Sequence, residues 1–212
     1  MPICVGTHRF QGCYWFPHQS HDQSQHLEDA QGSGLGRHQD PDPGAADADL
    51  VAVAHLGAID ALAIMGGPMN IYQHRDHPWL PEEKRFIERA IRLGVPIVGV
   101  CLGAQLLADV LGAKVVQNAE KEIGWDEVTL TAEAEGMAAF REIPARFAAF
   151  HWHGDTFDLP RGARCLAHSA ACPHQGFYIG RRIVGLQFHL ETTRESLDAL
   201  IANCADEIGE GP

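Results

Sequence analysis

Cys101 lies in a short turn between a predicted strand and a predicted helix, where a thiol could serve as a nucleophile. The run at 97–100 is typical of a buried strand, and leucines recur at helical spacing after the cysteine until Gly112. Glycines at Gly99 and Gly103 flank the cysteine, as in a nucleophile elbow. The N-terminus of the helix favours the thiolate form. A buried structural cysteine is the alternative, because free cysteines are usually buried, but the flanking glycines favour the nucleophile.

A general base and a group to orient it are predicted at the end of another apolar strand. His189 and Glu191 are two residues apart, so their side chains would point to the same face if the strand continued that far. Glu191 could then hold the imidazole in one tautomer, as the acidic member of a catalytic triad does. A lone histidine at a strand end is more often structural, but the His-x-Glu pair together with an elbow cysteine favours catalysis.

An oxyanion hole would need backbone N–H groups close to Cys101. One candidate is the N–H of Leu102, at the start of the elbow helix. A second is expected in the loop Met65–Asn70, which follows a predicted strand at 61–65 and contains two glycines and a proline. Glycines let the backbone approach a ligand closely, although Gly-Gly-Pro alone is an ordinary turn.

Strands and helices alternate from about Ile59 onward, which predicts an α/β domain with a mostly parallel sheet and helices on both faces. Ligands bind beyond the carboxyl ends of the strands in such a sheet, where Cys101 is predicted to lie. The last helix is predicted to begin at Thr192, with Glu195 completing a capping box. The other predicted elements are a helix opened by Pro81 and closed by Gly94, short strands at 115–116 and 128–130, and longer strands at 147–151 and 182–188.

The composition is that of a globular protein rather than of a nucleic-acid or membrane binder. The chain has 212 residues, 45% of them hydrophobic and 21% charged, with a formal net charge of −12 at pH 7. An acidic surface disfavours nucleic acid and anionic membranes as partners, and no apolar run approaches the roughly 20 residues that span a bilayer. The start of the chain has no basic region followed by an apolar stretch, so we expect no signal peptide and a cytoplasmic location. The six cysteines include no CxxC pair, so neither a zinc site nor a disulfide framework is expected.

The first fifty residues have a different composition from the rest of the chain. Residues 3–5 could form a first strand, but between Phe16 and Leu50 the only large aliphatic residues are Leu27 and Leu35. Such a segment cannot bury enough apolar surface to offset the entropy lost on ordering it. Its histidines have no regular spacing and no accompanying cysteine motif, so solvated side chains are favoured over a metal site; they are His18, His21, His26 and His38. No metal ligand is predicted.

Three stretches of the sequence together resemble the class I glutamine amidotransferases, the triad-type glutaminases, and occur in the family's order. They are Met65-Gly-Gly-Pro-Met69, Gly99-Val-Cys-Leu-Gly-Ala-Gln105 and Gly185-Leu-Gln-Phe-His-Leu-Glu191. Two more, Lys121-Glu-Ile-Gly-Trp125 and Phe150-His-Trp-His-Gly-Asp155, resemble the stand-alone branch similar to the glutaminase domain of GMP synthase. The resemblance covers about residues 59–191. It implies a single domain over 1–212 with a flavodoxin-like three-layer fold.

The resemblance also implies a role for individual residues. The catalytic triad would be Cys101, His189 and Glu191. The oxyanion hole would be formed by Gly67 and Leu102. Substrate binding would fall to Gly66, Gln105 and His153, although His153 could equally be a structural hydrogen-bonding residue. The implied reaction hydrolyses the glutamine side-chain amide through a cysteinyl thioester and needs no cofactor. Any biosynthetic use of the ammonia would need a separate synthetase subunit as partner.

Three other functions remain open at the level of sequence. The same thioester chemistry suits a γ-glutamyl hydrolase or peptidase that acts on a γ-glutamyl amide or peptide. A non-catalytic regulatory subunit is a second alternative, disfavoured by the intact triad residues. A third is the wider superfamily of elbow-cysteine chaperones and proteases, where the histidine usually follows soon after the cysteine. Residues 104–126 contain no histidine, which disfavours it.

The N-terminal segment does not fit the resemblance. The family's fold implies a helix and a second strand before the Gly-Gly-Pro loop, and residues 7–50 have the length for them without the apolar pattern. A pair of compensating frameshifts would keep the length while losing the pattern. A genuinely disordered insertion is the other hypothesis. Either puts the completeness of the sheet in doubt and leaves the triad residues untouched.

Overall fold

The computed structural model describes residues 2–7, 10–15, 59–204 and 208. The strands are β1 (Pro2–Thr7), β2 (Phe10–Trp15), β3 (Ala61–Ile64), β4 (Ile97–Val100), β5 (Val115–Leu130), β6 (Arg146–Phe157), β7 (Arg164–His168), β8 (Gly176–Ile179) and β9 (Ile183–Leu186). The helices are α1 (Leu80–Arg92), α2 (Leu102–Val110), α3 (Ala132–Glu135) and α4 (Arg194–Asn203). The atypical segment predicted at 7–50 lies outside the described residues, except for Thr7 in β1 and the strand β2.

The strands form one mixed sheet in the order β2-β1-β3-β4-β9-β8-β7-β5-β6. Among the described strand pairs, β3–β4 and β4–β9 are parallel, and the other six are antiparallel. The domain is therefore α/β as predicted, but the prediction of a mostly parallel sheet is wrong for these residues. Between β5 and β9 the strands are joined by loops and the four-residue helix α3. Such connections suit antiparallel neighbours, because parallel strands need long crossovers.

The short strands predicted at 115–116 and 128–130 are the two ends of a single strand. β5 runs through both and pairs with β6 along most of its length, with an irregularity in register between Gln117 and Glu122. Most of the residues between its two ends are polar, and most are exposed, so the sequence has no continuous apolar signal there. The strands β7 and β8 were not predicted, and they extend the sheet between β9 and β5.

Two groups of buried apolar side chains form the core. One is shared by the helices α1 and α2 and the central strands, and includes Leu62, Ile64, Ile87, Leu106 and Leu107. α1 packs against α2, and α2 contacts β4 and β9. The second group, which includes Val128 and Phe188, lies under the antiparallel part of the sheet. Helix α2 is thus anchored directly against the two strands that end at the predicted catalytic residues.

The C-terminal helix α4 begins two residues later than predicted. Its N-cap is Thr193, whose side chain accepts from the N–H of Ser196, and the Ser196 side chain completes the capping box. Thr192 and Glu195 have the residue types for the same motif one position earlier, so the sequence did not distinguish the two registers. None of the α4 residues is buried. No helix among the described residues is both long and apolar enough to cross a membrane.

Candidate active site

Cys101 occupies a strained turn between β4 and α2, as the sequence predicted. Its φ is 52° and its ψ is −111°, and it is the one non-glycine residue with positive φ among the described residues. A conformation of this kind costs on the order of 1–3 kcal/mol and persists where the surroundings enforce it. Here the N–H of Cys101 donates to the Leu186 carbonyl at 2.7 Å, and its own carbonyl accepts from Ala104 and Gln105 in the first turn of α2.

The glycines on either side of Cys101 allow β3, β4 and α2 to approach one another closely. A Cβ on Gly99 would lie 2.5 Å from the Gly103 carbonyl oxygen. A Cβ on Gly103 would overlap the carbonyl of Ile64 in β3. Real Cβ atoms do not come this close to backbone atoms, so there is no room for a side chain at either position. The elbow therefore needs glycine at both positions because of space rather than backbone conformation.

His189 and Glu191 form the pair that the sequence predicted. The Nδ1 atom of His189 lies 2.6 Å from Oε1 of Glu191, whose second oxygen accepts from the Leu190 N–H. The strand β9 ends at Leu186, so alternation along a strand is not what brings the two side chains together. Instead the His189 N–H donates to the Phe150 carbonyl at 2.8 Å, which fixes the chain beyond the strand.

The charges of His189 and Glu191 are mutually dependent. Burial would lower the pKa of His189, but its hydrogen bonds to Cys101 and Glu191 outweigh burial and raise the pKa to about 10. Burial would raise the pKa of Glu191, and its contact with His189 outweighs that effect and lowers it. The imidazole therefore holds a second proton at neutral pH, between a carboxylate and the cysteine sulfur.

All eight predicted site residues line one cleft of about 680 Å³. The loop after β3 forms one wall, where a Cβ on Gly66 would lie 3.1 Å from Cε1 of His189 and 3.3 Å from Cβ of Cys101. Gly67 and Leu102 lie on the same cleft. Among the described residues, no protein acceptor pairs with either of their N–H groups. Two donors in this position could bind a negatively charged oxygen next to Cys101.

Gln105 lines the cleft but its amide nitrogen already has protein partners. Nε2 donates to Oε1 of Gln187 at 3.2 Å and to the Asp155 carbonyl at 3.4 Å. The side chain is buried. Its position in the cleft agrees with the sequence prediction, whereas its hydrogen bonds show that it also ties α2 to β6 and to the segment after β9.

The sequence did not single out Asp155 or Asn70, which also line the cleft. The amide nitrogen of Asn70 donates to the carboxylate of Asp155, so the loop after β3 is connected to β6 across the cleft. Asp155 ends the His-Trp-His-Gly-Asp stretch that carried the resemblance, whereas Asn70 lies just after the Met65–Met69 motif, at the end of the candidate oxyanion loop. Their polar side chains at these positions were the available signal.

His153 is turned towards a buried polar cluster beside the cleft. Its Nδ1 lies 3.0 Å from the Asp155 carbonyl oxygen, and its Nε2 lies 3.2 Å from Oε2 of Glu122. Burial lowers the pKa of the neighbouring His151. Burial would raise the pKa of Glu122, but its contacts with His153 and Ser169 outweigh that effect and lower it. With both ring nitrogens facing protein groups, His153 has the geometry of the structural alternative rather than of a substrate ligand.

Comparison with known proteins identifies a family for most of the chain. The family model for Glutamine amidotransferase class-I matches residues 44–207. A glutamine amidotransferase-like protein of Salmonella typhimurium, YfeJ, is 33% identical over 154 residues, which are 71% of this chain and 64% of that protein. The glutamine-hydrolyzing GMP synthase of Thermomicrobium roseum is 35% identical over 156 residues. That match covers 73% of this chain and 27% of the GMP synthase.

Two similar solved structures are also glutamine amidotransferases. A glutamine amidotransferase from Thermotoga maritima is 39% identical with a TM-score of 0.63, over 69% of this chain and 63% of that one. A glutamine amidotransferase from Methylobacillus flagellatus is 30% identical with a TM-score of 0.65, over 72% of this chain and 60% of that one. This chain thus spans somewhat less than two thirds of these relatives, and about a quarter of the GMP synthase.

Proposed function

This chain belongs to the class-I glutamine amidotransferase family, and on that basis we propose that it hydrolyses the side-chain amide of glutamine through a thioester on Cys101. The observation that carries the proposal is the arrangement of Cys101, His189 and Glu191 at one cleft. The cysteine lies on a strained elbow, and a histidine bonded to Glu191 contacts it. This is the nucleophile, base and orienting group that acyl transfer requires.

In the first half of the proposed reaction, the sulfur of Cys101 attacks the amide carbon of glutamine. The carbonyl π electrons move onto oxygen, and the N–H groups of Gly67 and Leu102 stabilise the oxyanion. His189 then gives its proton to the amide nitrogen as the C–N bond breaks, and ammonia leaves. The raised pKa of His189 supports this step, because the imidazole holds that proton at neutral pH.

In the second half, neutral His189 takes a proton from water, which attacks the thioester carbon. The C–S bond breaks, the sulfur leaves as a thiolate, and glutamate is released. Glu191 keeps Nδ1 of His189 protonated and orients the ring throughout. Oxidation would remove the thiolate on which both halves depend, so a cytoplasmic, reducing location is part of the proposal.

A γ-glutamyl hydrolase is the second candidate, favoured by the size of the cleft. Its volume of about 680 Å³ lies within the range of pockets that hold drug-sized ligands, so it leaves room beyond a glutamine side chain. The α4 residues Ser196 and Leu200 are also among its lining residues. In that case the leaving group is an amine or a peptide, and the thioester chemistry is unchanged.

The fate of the ammonia forms the remaining part of the proposal. One structural neighbour, from Thermoplasma acidophilum, is described as a subunit of GMP synthase rather than as a whole synthase. It is 29% identical with a TM-score of 0.57, over 74% of this chain and 79% of that one. We propose by analogy that any synthetase reaction fed by this chain takes place on a separate protein.

Ammonia release from glutamine and from a panel of γ-glutamyl amides tests the proposal. Replacing Cys101 or His189 by alanine should lower turnover by about 10⁴-fold or more, and Glu191→Gln should cost less, because an orienting group contributes less than those that make and break bonds. Glu195→Gln, on the exposed face of α4, is the matched control and should keep the wild-type rate. Substantial turnover by folded Cys101→Ala would contradict the mechanism. The substrate with the highest kcat/KM decides between the two candidates.

A further inference from the structure

Three buried side chains with metal-ligand chemistry meet beside the cleft, on two paired strands. Glu122 in β5 is the direct cross-strand partner of His153 in β6, and His151 lies two residues earlier on β6. Their relative exposures are 5%, 5% and 0%. One ligand atom from each lies within 4.8 Å of the others. The register of β5 against β6 therefore places a carboxylate and two imidazoles on one buried side of the strand pair.

In the neutral form of His153, its contact with Glu122 brings two hydrogen-bond acceptors together. The Asp155 carbonyl can only accept, so the Nδ1 atom of His153, 3.0 Å away, carries the ring hydrogen. In the neutral ring Nε2 then presents a lone pair, and it faces a carboxylate oxygen of Glu122 at 3.2 Å. Two acceptors at this distance repel each other unless a proton or a cation lies between them.

His151 supplies a second, independent observation. It is fully buried, and both its ring nitrogens lack a hydrogen-bond partner among the described residues. Leaving a buried polar group unsatisfied costs about 1–3 kcal/mol, so two such atoms on one ring need an explanation. A metal ion bound to one nitrogen would remove that cost for that nitrogen, whereas a proton shared by Glu122 and His153 would leave both nitrogens of His151 unpaired.

We propose that Glu122, His151 and His153 bind one divalent transition-metal ion, for which Zn²⁺ is the best match. Two imidazoles and one carboxylate are a known zinc donor set, and the fourth position of a tetrahedron would be open to water. With metal–ligand distances of about 2.0–2.1 Å, tetrahedral ligands are separated by about 3.3 Å, close to the 3.2 Å between His153 and Glu122.

The residues around Glu122 have the arrangement of an outer ligand shell. The Ser169 hydroxyl donates to Oε1 and the Gln175 amide donates to Oε2, each at 2.7 Å. The hydrogen bond of His153 to a backbone carbonyl is the usual device that fixes a ligating tautomer. A bound ion would hold β5 and β6 together behind the cleft wall formed by His153 and Asp155. It takes no part in the proposed hydrolysis.

Zinc binding by the full-length protein tests the proposal, with competition against a chromophoric chelator as the measurement. Wild-type protein that has been dialysed against a chelator should bind one Zn²⁺ ion. Its affinity should be at least 100-fold higher than that of the His151→Phe variant. Ser169→Ala removes the hydroxyl that donates to Glu122 and accepts from the Cys172 N–H and the Gln175 amide, and it should weaken binding by about 10–100-fold. His74→Ala with His77→Ala removes two histidines far along the chain from the cluster and should bind as the wild type does. That control measures any contribution of these two histidines.

A second readout keeps the test valid if His151→Phe does not fold. Co²⁺ bound to the wild type should give the intense visible absorption of a tetrahedral site, and Glu122→Gln should lose it. Zn²⁺ should also raise the Tm of the wild type and leave that of Glu122→Gln unchanged. The proposal would be overturned if the wild type bound Zn²⁺ no more tightly than His151→Phe and Glu122→Gln do. That result would mean that a proton, rather than a metal ion, lies between Glu122 and His153. Because none of these measurements uses turnover, they stand apart from the hydrolase proposal.

Discussion

Replacing Gly66 with alanine should impair catalysis by moving the imidazole of His189. The glycine has no positive φ, so alanine would fit the backbone, and the conflict lies with two side chains. The new Cβ would lie 3.1 Å from Cε1 of His189 and 3.3 Å from Cβ of Cys101. Contacts this short require a neighbour to move by a few tenths of an ångström. Cys101 is held on its elbow by backbone hydrogen bonds, so the ring is the part that yields.

The size of the effect follows from how His189 is held. Glu191 fixes Nδ1 on one side at 2.6 Å, so displacement at Cε1 rotates the ring and shifts Nε2 relative to the sulfur. A misplacement of about 1 Å can cost 100-fold in rate, and a few tenths should therefore cost roughly tenfold. That corresponds to about 1.4 kcal/mol on the barrier. The loss should appear in kcat, since in the proposed reaction the ring acts on the leaving group and on water.

The assay is steady-state ammonia release, with kcat and KM determined separately. Gly136→Ala is the matched control, because its Cβ would meet nothing closer than 3.5 Å and its φ is −74°. It should keep wild-type kinetics with unchanged or slightly higher stability. The steric argument about His189 would be refuted if Gly66→Ala raised KM while kcat stayed at the wild-type value. In that case Gly66 would act on substrate binding, which is the role that the resemblance implies for it.

Two further predictions concern other ionisable groups. Limiting iodoacetamide should label Cys101 before Cys165 and Cys172, because burial raises the pKa of the latter two thiols; peptide mapping that finds equal labelling would contradict this. Burial raises the pKa of Glu83 from 4.5 to about 7, so the folded state keeps that proton longer than the unfolded state and the free energy of unfolding falls as pH rises from 4.5 through 7. Glu83→Gln should therefore raise stability at pH 8 by up to about 3 kcal/mol and change it little at pH 4, as measured by urea unfolding.

The parts of the site that the sequence predicted are those encoded in short, local patterns. The elbow needs glycines at two positions around Cys101, and Gly99 and Gly103 are visible in the sequence at the positions where a Cβ would meet backbone atoms. The pair of His189 and Glu191 is also local, although a turn and a hydrogen bond to Phe150 create it rather than strand alternation. Chemistry carried by residues two or three apart is therefore readable without a structure.

The unpredicted parts depend on pairing between distant segments. The contact of Glu122 with His153 is set by the register of β5 against β6, across an irregularity that no local pattern specifies. The same holds for Gln105, whose partners come from β6 and from the segment after β9. The alternation of His151 and His153, which begins at the last residue of the strand predicted at 147–151, was the available signal for the buried cluster, and it does not reveal the carboxylate opposite.

The two parallel strand pairs explain why the site assembles although most of the sheet is antiparallel. β3, β4 and β9 lie side by side in parallel, with Ile64 opposite Gly99 and Val100 opposite Leu186. Their carboxyl ends therefore meet at one edge, where parallel sheets bind ligands. The Gly66–Gly67 loop, the Cys101 elbow and the segment bearing His189 each leave the sheet at that edge. The prediction of a mostly parallel sheet is wrong for the described strands taken together, but β3, β4 and β9 are parallel, and their ends bring the proposed nucleophile, base and oxyanion donors together.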